Sequence, residues 1–387
     1  MRGGLRSWTQ GAVMENQTID FPAIIVGAGQ CGLAMAHELV QRGEDFLVLE
    51  AGPTPGNSWR SRWDSLELFT PAAHDALPGS KFPDKRGSYP TAGAVADYLE
   101  TYAKAKGVPV RTSTTLTDVR ASADGGFLVR TADTTFAARR VVIATGVHQR
   151  PKIPAIAAQI SAETRQLHSS EYRNPAMVAD GPVAVVGFGT SGAQIACELV
   201  VSHPVALYGN PTPHVPEALI RFAPALYWLL IHRLLTRSTP MGRKVAKGFF
   251  TRGAPLIRVS VKDVQAAGVQ TAGRVESIHG GKLMTKDGTP IEASTIIWAT
   301  GYHPDYSWID GLQLDELGYP LHRRGISTQI PGLGFLGIPF LYGLTSGIIG
   351  GVGRDSRYLA RHLHPYKEAG HAADPPFGLN TSARDHE

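Results

Sequence analysis

Short apolar runs broken by glycine turns set the pattern of this chain. Ala23 to Val26 is unbroken apolar sequence, short enough for a strand buried on both faces. It runs into Gly27-Ala28-Gly29-Gln30-Cys31-Gly32, after which Leu33 to Gln41 has helical character and stops at Arg42-Gly43. A second apolar run, Phe46 to Leu49, ends on Glu50. The predicted order is strand, glycine turn, helix, strand. From Pro182 a near-copy begins: strand Val183 to Val186, turn Gly187-Phe188-Gly189-Thr190-Ser191-Gly192, a helix to about Val201, and strand Val205 to Tyr208. Between the copies, Val95, Tyr98, Leu99 and Tyr102 recur at helical spacing and predict an amphipathic helix over Thr91 to Lys106. Thr114 to Ala121 and Phe127 to Thr131, joined by Asp124-Gly125-Gly126, predict a hairpin. A second hairpin is predicted from Val275 to Ile278 and Lys282 to Thr285. Arg140 to Gly146 (RVVIATG) and Ser294 to Tyr302 (STIIWATGY) are strands that share an Ala-Thr-Gly ending. A glycine-rich turn, Gly347 to Gly353, opens a last helix that ends near Leu363.

This pattern predicts an α/β fold with two Rossmann-like dinucleotide-binding domains, the first interrupted by the second. The expected divisions are a disordered extension over 1–18, the first unit over 19–160, the inserted unit over 161–292, a return to the first unit over 293–364 and a polar tail over 365–387. In a GxGxxG turn the first glycine permits the bend, the second lets the backbone approach a pyrophosphate, and the third lets helix and strand pack closely. The phosphates then meet the free N–H groups and positive dipole end of the helix. Glu50 lies 18 positions after Gly32, close to the roughly 20-residue spacing of a ribose-binding acid. Candidate cofactor-binding residues in the first unit are therefore Gly27, Gly29, Gln30, Gly32 and Glu50, with Val119 from the hairpin and Thr145 and Gly146 from the strand end. The second unit contributes Gly187, Gly189, Thr190, Ser191 and Gly192, with Thr300 and Gly301. Two crevices imply two nucleotides, one a held redox cofactor and one an exchangeable hydride carrier. In the second unit the acid position is Asn210, which tolerates a ribose 2′-phosphate better than an acid would. No arginine stands at that strand end to clamp the phosphate; His214 or Arg221 could substitute. This favours NADPH, with NADH still open.

Trp59 and Arg60 end a Pro- and Gly-rich loop that starts at Ala51. They read either as an aromatic plug with a surface arginine or as a ring and a phosphate-seeking guanidinium beside the nucleotide. Ser65 to Pro78 reads as loop.

Bulk composition narrows the picture little. The chain has 387 residues, 43% hydrophobic and 18% charged, enough for two or three globular domains. Net charge is +5 and the sequence pI is about 9.1. The excess reads as spread along the chain, with no dense Lys/Arg run to suggest a nucleic-acid arm. The two cysteines, Cys31 and Cys197, form no CxxC; they read as packing residues in a reducing, cytoplasmic compartment. No metal-ligand spacing and no Ser-His-Asp set stands out. Met1 to Asp20 lacks the apolar region of a secretory signal, and Met14 is an alternative start. No stretch reaches the roughly 18 apolar residues of a transmembrane helix. Ala223 to Leu235 (APALYWLLIHRLL) is markedly apolar. Its plain reading is a core or interdomain helix; its sharper readings are a monotopic membrane contact or the wall of a hydrophobic substrate channel. Monomer and homodimer are both open.

Taken together, GAGQCG at 27–32, GNSWR at 56–60, ATG at 144–146 followed by PKIP, LHSSEYRNP at 167–175, GFGTSG at 187–192 and ATGY at 299–302 resemble the class B flavoprotein monooxygenases. The resemblance runs from about Ile19 to Leu363. It implies FAD on the first unit, its pyrophosphate at Gly27, Gly29 and Gly32 and its ribose on Glu50, with Trp59 and Arg60 flanking. It implies NADPH on the second unit at Gly187, Gly189, Ser191 and Gly192. The implied reaction consumes NADPH and O2 and transfers one oxygen atom through a C4a-(hydro)peroxyflavin to a small organic substrate, at a soft nucleophile or a carbonyl carbon. The family fingerprint Phe-x-Gly-x-x-x-His-x-x-x-Tyr/Phe is matched at His168 and Tyr172, while Ala162 and Thr164 occupy its first two positions. A catalytic Asn of some members is absent from the comparable Leu68-Phe69-Thr70-Pro71. Candidate catalytic residues are thus His168, Tyr302 and Thr70. His168 either serves the cofactor interface or merely holds a turn, and Tyr302 either lines the nicotinamide channel or merely packs. The alternative reading is a flavin-dependent NAD(P)H reductase or oxidase that passes electrons to a quinone, a small redox partner or O2. A redox sensor without turnover ranks third, because the second glycine motif is complete.

Overall fold

The computed structural model describes residues 18–123, 125–215, 224–252 and 254–365. The expectations for the N-terminal extension and Met14, for Asp124, Arg221 and Ala223, and for the tail from 366 onward lie outside these residues.

The apolar runs become the centres of two sheets. In the first, Thr18–Val26 pairs in parallel with Leu47–Leu49 on one side and Thr135–Ile143 on the other, Ile24 facing Leu47 and Val141. Ile24, Ile25, Val48, Val141 and Val142 are buried, which is why these strands carry no polar alternation. Val110–Arg111 extends one edge; Leu333–Phe335, Ile326–Ser327 and His322–Arg323 extend the other. The predicted hairpin forms as Leu116–Ala121 with Phe127–Thr131 and leans on Thr135–Ile143. Helix Gln30–Gln41 buries Leu33, Met35 and Leu39 against the sheet, each worth about 2 kcal/mol of apolar burial. Helix Ala92–Ala105 starts where Thr91 accepts a hydrogen bond from the Ala94 N–H, and it buries Val95, Tyr98, Leu99 and Tyr102 as their spacing predicts. Two of those tyrosines tether the Ser65 to Pro78 loop: the Tyr98 hydroxyl accepts from Leu77 N–H, and the Tyr102 hydroxyl donates to Pro78 O.

The second sheet is parallel throughout, in the order Gln270–Ala272, Val205–Tyr208, Val183–Val186, Thr295–Trp298, Arg165–His168. This corrects the expected division at 293. Thr295–Trp298 does not return to the first sheet; it lies between two strands of the second, with Ile297 opposite both Val185 and Leu167. All four of its residues are buried, so it is interior to the inserted unit. The chain leaves and re-enters the first unit through two short strands, Arg150–Pro151 and Tyr302–His303, which pair antiparallel with each other. The second hairpin, Val275–His279 with Lys282–Thr285, stands apart as a two-stranded sheet.

Two helices follow the second unit's central strands. The apolar stretch forms Pro224–Arg233, and Pro240–Arg252, a helix not among the sequence expectations, follows it. Among the described residues no helix is long and apolar enough to cross a membrane.

Candidate active site

The two glycine turns are built to one plan. Gly27 (φ 102°) donates to Leu49 O at 2.7 Å, and Gly187 (φ 120°) donates to Tyr208 O at 2.8 Å. A Cβ at Gly27 would stand 2.8 Å from Ala144 O; one at Gly187 would stand 2.2 Å from Ala299 O. The shared Ala-Thr-Gly ending is thus the wall against which each turn closes. A Cβ at Gly32 or Gly192 would meet the carbonyl of Gly27 or Gly187 at 1.9 or 2.0 Å, so helix and turn touch backbone to backbone. Gly29 and Gly189 differ: nothing lies within 4 Å of where their Cβ atoms would be. Both are helix N-caps without a side-chain cap, and neither following first turn carries an acid. Free N–H groups facing open space at a positive helix end form an anion cradle. Both turns fit a dinucleotide pyrophosphate.

In the first unit Glu50 is fixed beside the cradle. Its Oε2 accepts from Ala28 N–H at 2.7 Å and its Oε1 from Gly52 N–H at 2.8 Å. Each oxygen keeps lone pairs for a ribose diol. Trp59 Nε1 donates to Gln30 Oε1 at 3.1 Å, which ties the loop to the helix start. Gly27, Gly29, Gln30, Glu50, Trp59, Thr145, Gly146 and Thr70 all line one cavity of about 1080 Å³. Three candidates do not. Gly32 lies against the Gly27 carbonyl, behind the lining. Arg60 is drawn away by helix Ala92–Ala105, where it pairs with Asp97 at 2.8 Å and Glu100 at 2.7 Å; these carboxylates push its guanidinium above its ordinary range. Val119 lies in the hydrophobic core, and the cavity wall beside it is Thr114, Thr115 and Leu116 instead.

Deeper in the cavity, Thr70 Oγ1 donates to Asp75 Oδ1 at 2.5 Å. Asp75 is fully buried and its Oδ2 has no hydrogen-bond partner. Burial outweighs the Thr70 bond and raises this carboxyl to about 7. The neighbouring His74 ring stacks on Trp228 at 4.9 Å; burial, then Arg86, holds its pKa below the ordinary value. Tyr227, Trp228, Ile231, Leu235 and Phe249 close this end. The channel-wall reading of Ala223 to Leu235 therefore describes its inward face.

His168, the last residue of strand Arg165–His168 in the second sheet, meets Tyr302 of the crossing strand. His168 is buried. Its Nδ1 accepts from Ser170 N–H at 3.1 Å, which leaves the proton on Nε2, directed at Gly301 O 3.0 Å away. Burial lowers its pKa and the Gly301 bond opposes this less strongly. The Tyr302 ring stands edge-on to His148 at 4.8 Å and to His168 at 4.9 Å. Its hydroxyl accepts from Arg62 at 3.0 Å. Arg62 and His148 line the cavity although neither was singled out from the sequence; burial and then Arg62 push His148 down to about 4. Gly301 O also accepts from Lys152 N–H at 2.9 Å, and Thr300 Oγ1 donates to Lys152 O. Thr300 and Gly301 thus join linkers. The other fingerprint residue, Tyr172, is buried and donates to Glu198 at 2.8 Å. In the second unit Thr190 Oγ1 donates to Pro255 O at 3.2 Å, Ser191 is half-buried, and Asn210 is exposed just past strand Val205–Tyr208. None of these lines the large cavity.

Residues 24–213 match the family described as pyridine nucleotide-disulphide oxidoreductase. An uncharacterized CzcO-like oxidoreductase of Geobacillus kaustophilus is 36% identical over 88% of this chain and 97% of its own length. The indole-3-pyruvate monooxygenase YUCCA1 of Oryza sativa subsp. japonica is 29% identical over 88% of this chain and 91% of its own. A solved flavin-containing monooxygenase from Stenotrophomonas maltophilia superposes with a TM-score of 0.72 at 27% identity, covering 89% of this chain and 98% of that one. Doubled cradle, fixed ribose acid and these kinships agree: the chain belongs to the class B flavoprotein monooxygenases, alongside the CzcO-like oxidoreductases, and is an FAD- and NAD(P)H-dependent oxidoreductase.

Proposed function

We propose that this protein is a cytoplasmic NADPH-consuming monooxygenase that places one oxygen atom from O2 on a small lipophilic substrate. The observation that carries the reading is the single cavity joining the first cradle to an apolar far end walled by Tyr227, Trp228, Ile231, Leu235 and Phe249. Bound FAD supplies the hydride-accepting and oxygen-activating chemistry. The protein's own residues do the rest. The turn from Gly27 to Gly32 holds the pyrophosphate and Glu50 the ribose; Trp59 and Gln30 fix the loop that covers them. NADPH sits at Gly187, Gly189, Ser191 and Gly192, where the neutral Asn210 admits a 2′-phosphate. The Thr70–Asp75 pair holds a proton at the cavity wall near neutral pH. The aromatic end excludes water from the reacting centre, which suppresses side reactions. His168 acts as a positioning residue: it pins the ATGY turn through Gly301 and touches no part of the cavity.

The test is a single turnover. The FAD-loaded protein is reduced with NADPH without oxygen, then mixed with ¹⁸O2 and apolar sulfides, amines or ketones. Label in the product supports the reading. Stoichiometric peroxide with unlabelled product across the panel would replace it with the NAD(P)H reductase or oxidase reading, which the Ala162 and Thr164 departures favour.

A further inference from the structure

The outward face of helix Pro224–Arg233 is as apolar as its inward face. Leu226, Leu229, Leu230 and Leu234 are 56, 49, 39 and 44% exposed, and Met241 beyond them is 56% exposed. They are half of the large apolar side chains that stand exposed among the described residues. Their spacing of three and four places them in one stripe, while Tyr227, Trp228, Ile231 and Leu235 turn inward to the cavity.

Charge says what covers this stripe. From Ala218 to Lys262 the sequence has nine Lys and Arg and no Asp or Glu. This one segment carries +9 in a chain whose total is +5, so all the rest sums to −4. Arg233, Arg237, Arg243, Lys244 and Lys247, on the same stretch of chain as the leucines, are exposed, and Lys244 also lines the cavity. Arg233, Arg237, Arg243 and Lys244 make no salt bridge among the described residues. A second copy of the chain would bring an equally cationic face against this one, and like charges in register oppose association. A leucine stripe on a cationic segment is the pattern of an element that lies in the interface of an anionic bilayer.

We propose that this face docks the protein on anionic lipid membrane, with the leucines of Pro224–Arg233 entering the headgroup–acyl boundary and the segment's cations meeting lipid phosphates. The same helix is one wall of the cavity, so a lipid-dissolved small molecule would find the active cavity on the far side of a single helix. The docking itself does not rest on the monooxygenase reading, because it is measured without turnover.

The experiment is flotation of the full-length, FAD-loaded protein with vesicles of phosphatidylcholine alone or of phosphatidylcholine with phosphatidylglycerol, at low and high salt. The expected result is partitioning to the anionic vesicles only, weakened by salt. Arg233→Gln with Arg243→Gln should weaken it roughly fivefold per cation at low salt. Leu226→Gln with Leu230→Gln should weaken it on the order of a hundredfold. Flavin absorbance and circular dichroism report whether each variant is folded, and the lipid and salt arms need no variant. Failure to float with anionic vesicles overturns the proposal. So does equal partitioning to neutral vesicles, or an unchanged leucine variant. A concentration-dependent dimer without lipid that the leucine changes dissolve would make the face an interface between copies instead.

Discussion

Asp75→Asn removes a buried charge from the cavity wall while keeping an oxygen to accept from Thr70. In the folded protein burial raises the Asp75 carboxyl from its ordinary 3.8 to about 7. Below about pH 4 the carboxyl is protonated in folded and unfolded chains alike, and it has no effect on the balance. Between pH 4 and 7 the folded state keeps a proton that the unfolded chain has released. Stability then falls as pH rises, and the penalty is complete above pH 7. At about 1.4 kcal/mol per unit, the full penalty is on the order of 4 kcal/mol. The variant lacks this slope. Its amide NH2 takes the place of an oxygen that has no partner, a constant cost of about 1–3 kcal/mol, so the pH dependence and not the offset is diagnostic. Urea midpoints of wild type and variant, measured with saturating FAD from pH 4.5 to 8.5, should diverge steadily in favour of the variant. His74 contributes the same background to both. Parallel curves would refute the reasoning, since they would show that the carboxyl ionises in its cavity without penalty.

Two further tests address the cradles. Gly29→Ala should fold normally, because its Cβ meets no atom within 4 Å, yet lose FAD affinity at least tenfold; Gly32→Ala, whose Cβ would stand 1.9 Å from a backbone oxygen, should fail to fold. Fluorescence titration and circular dichroism separate the two outcomes. Asn210→Asp should move the ratio of kcat/KM values for NADPH and NADH roughly tenfold toward NADH by repelling a 2′-phosphate; an unchanged ratio would mean that Asn210 does not meet the ribose.

The cradles were legible because backbone contact admits only glycine, and the buried strands because parallel sheets leave no polar face. What escaped was set by partners distant in sequence. Arg60 and Arg62 are two positions apart, and only the arrival of Asp97 and Glu100 on another helix decides which one faces the cavity. Strand Thr295–Trp298 was recognised, but its sheet was not, because strand order is not written locally. Val119 belongs to a hairpin whose inward face is core. Helix Pro240–Arg252 was passed over because lysines and glycines interleave with its apolar positions, although Met241, Val245 and Phe249 recur every four residues. The positive charge, read as evenly spread, is concentrated between 218 and 262, where the cations are too widely spaced to register as a run.

The side-by-side strands Arg150–Pro151 and Tyr302–His303 bear on how such a chain diversifies. Exit and re-entry points lie about 5 Å apart, the spacing of neighbouring strands. Everything between them is therefore a cassette: its removal or exchange leaves ends that a short turn would join. Selection can retune the second glycine turn there, and the aromatic far wall of the cavity with it, while the first glycine turn keeps its shape. Any exchange must also match the contacts that cross this boundary, among them Arg237 donating to Phe340 O and Arg354 to His232 O. Arg173 reaches Arg60 O and Asp64, Arg258 reaches Leu68 O and Glu67, and Arg62 reaches back to Tyr302.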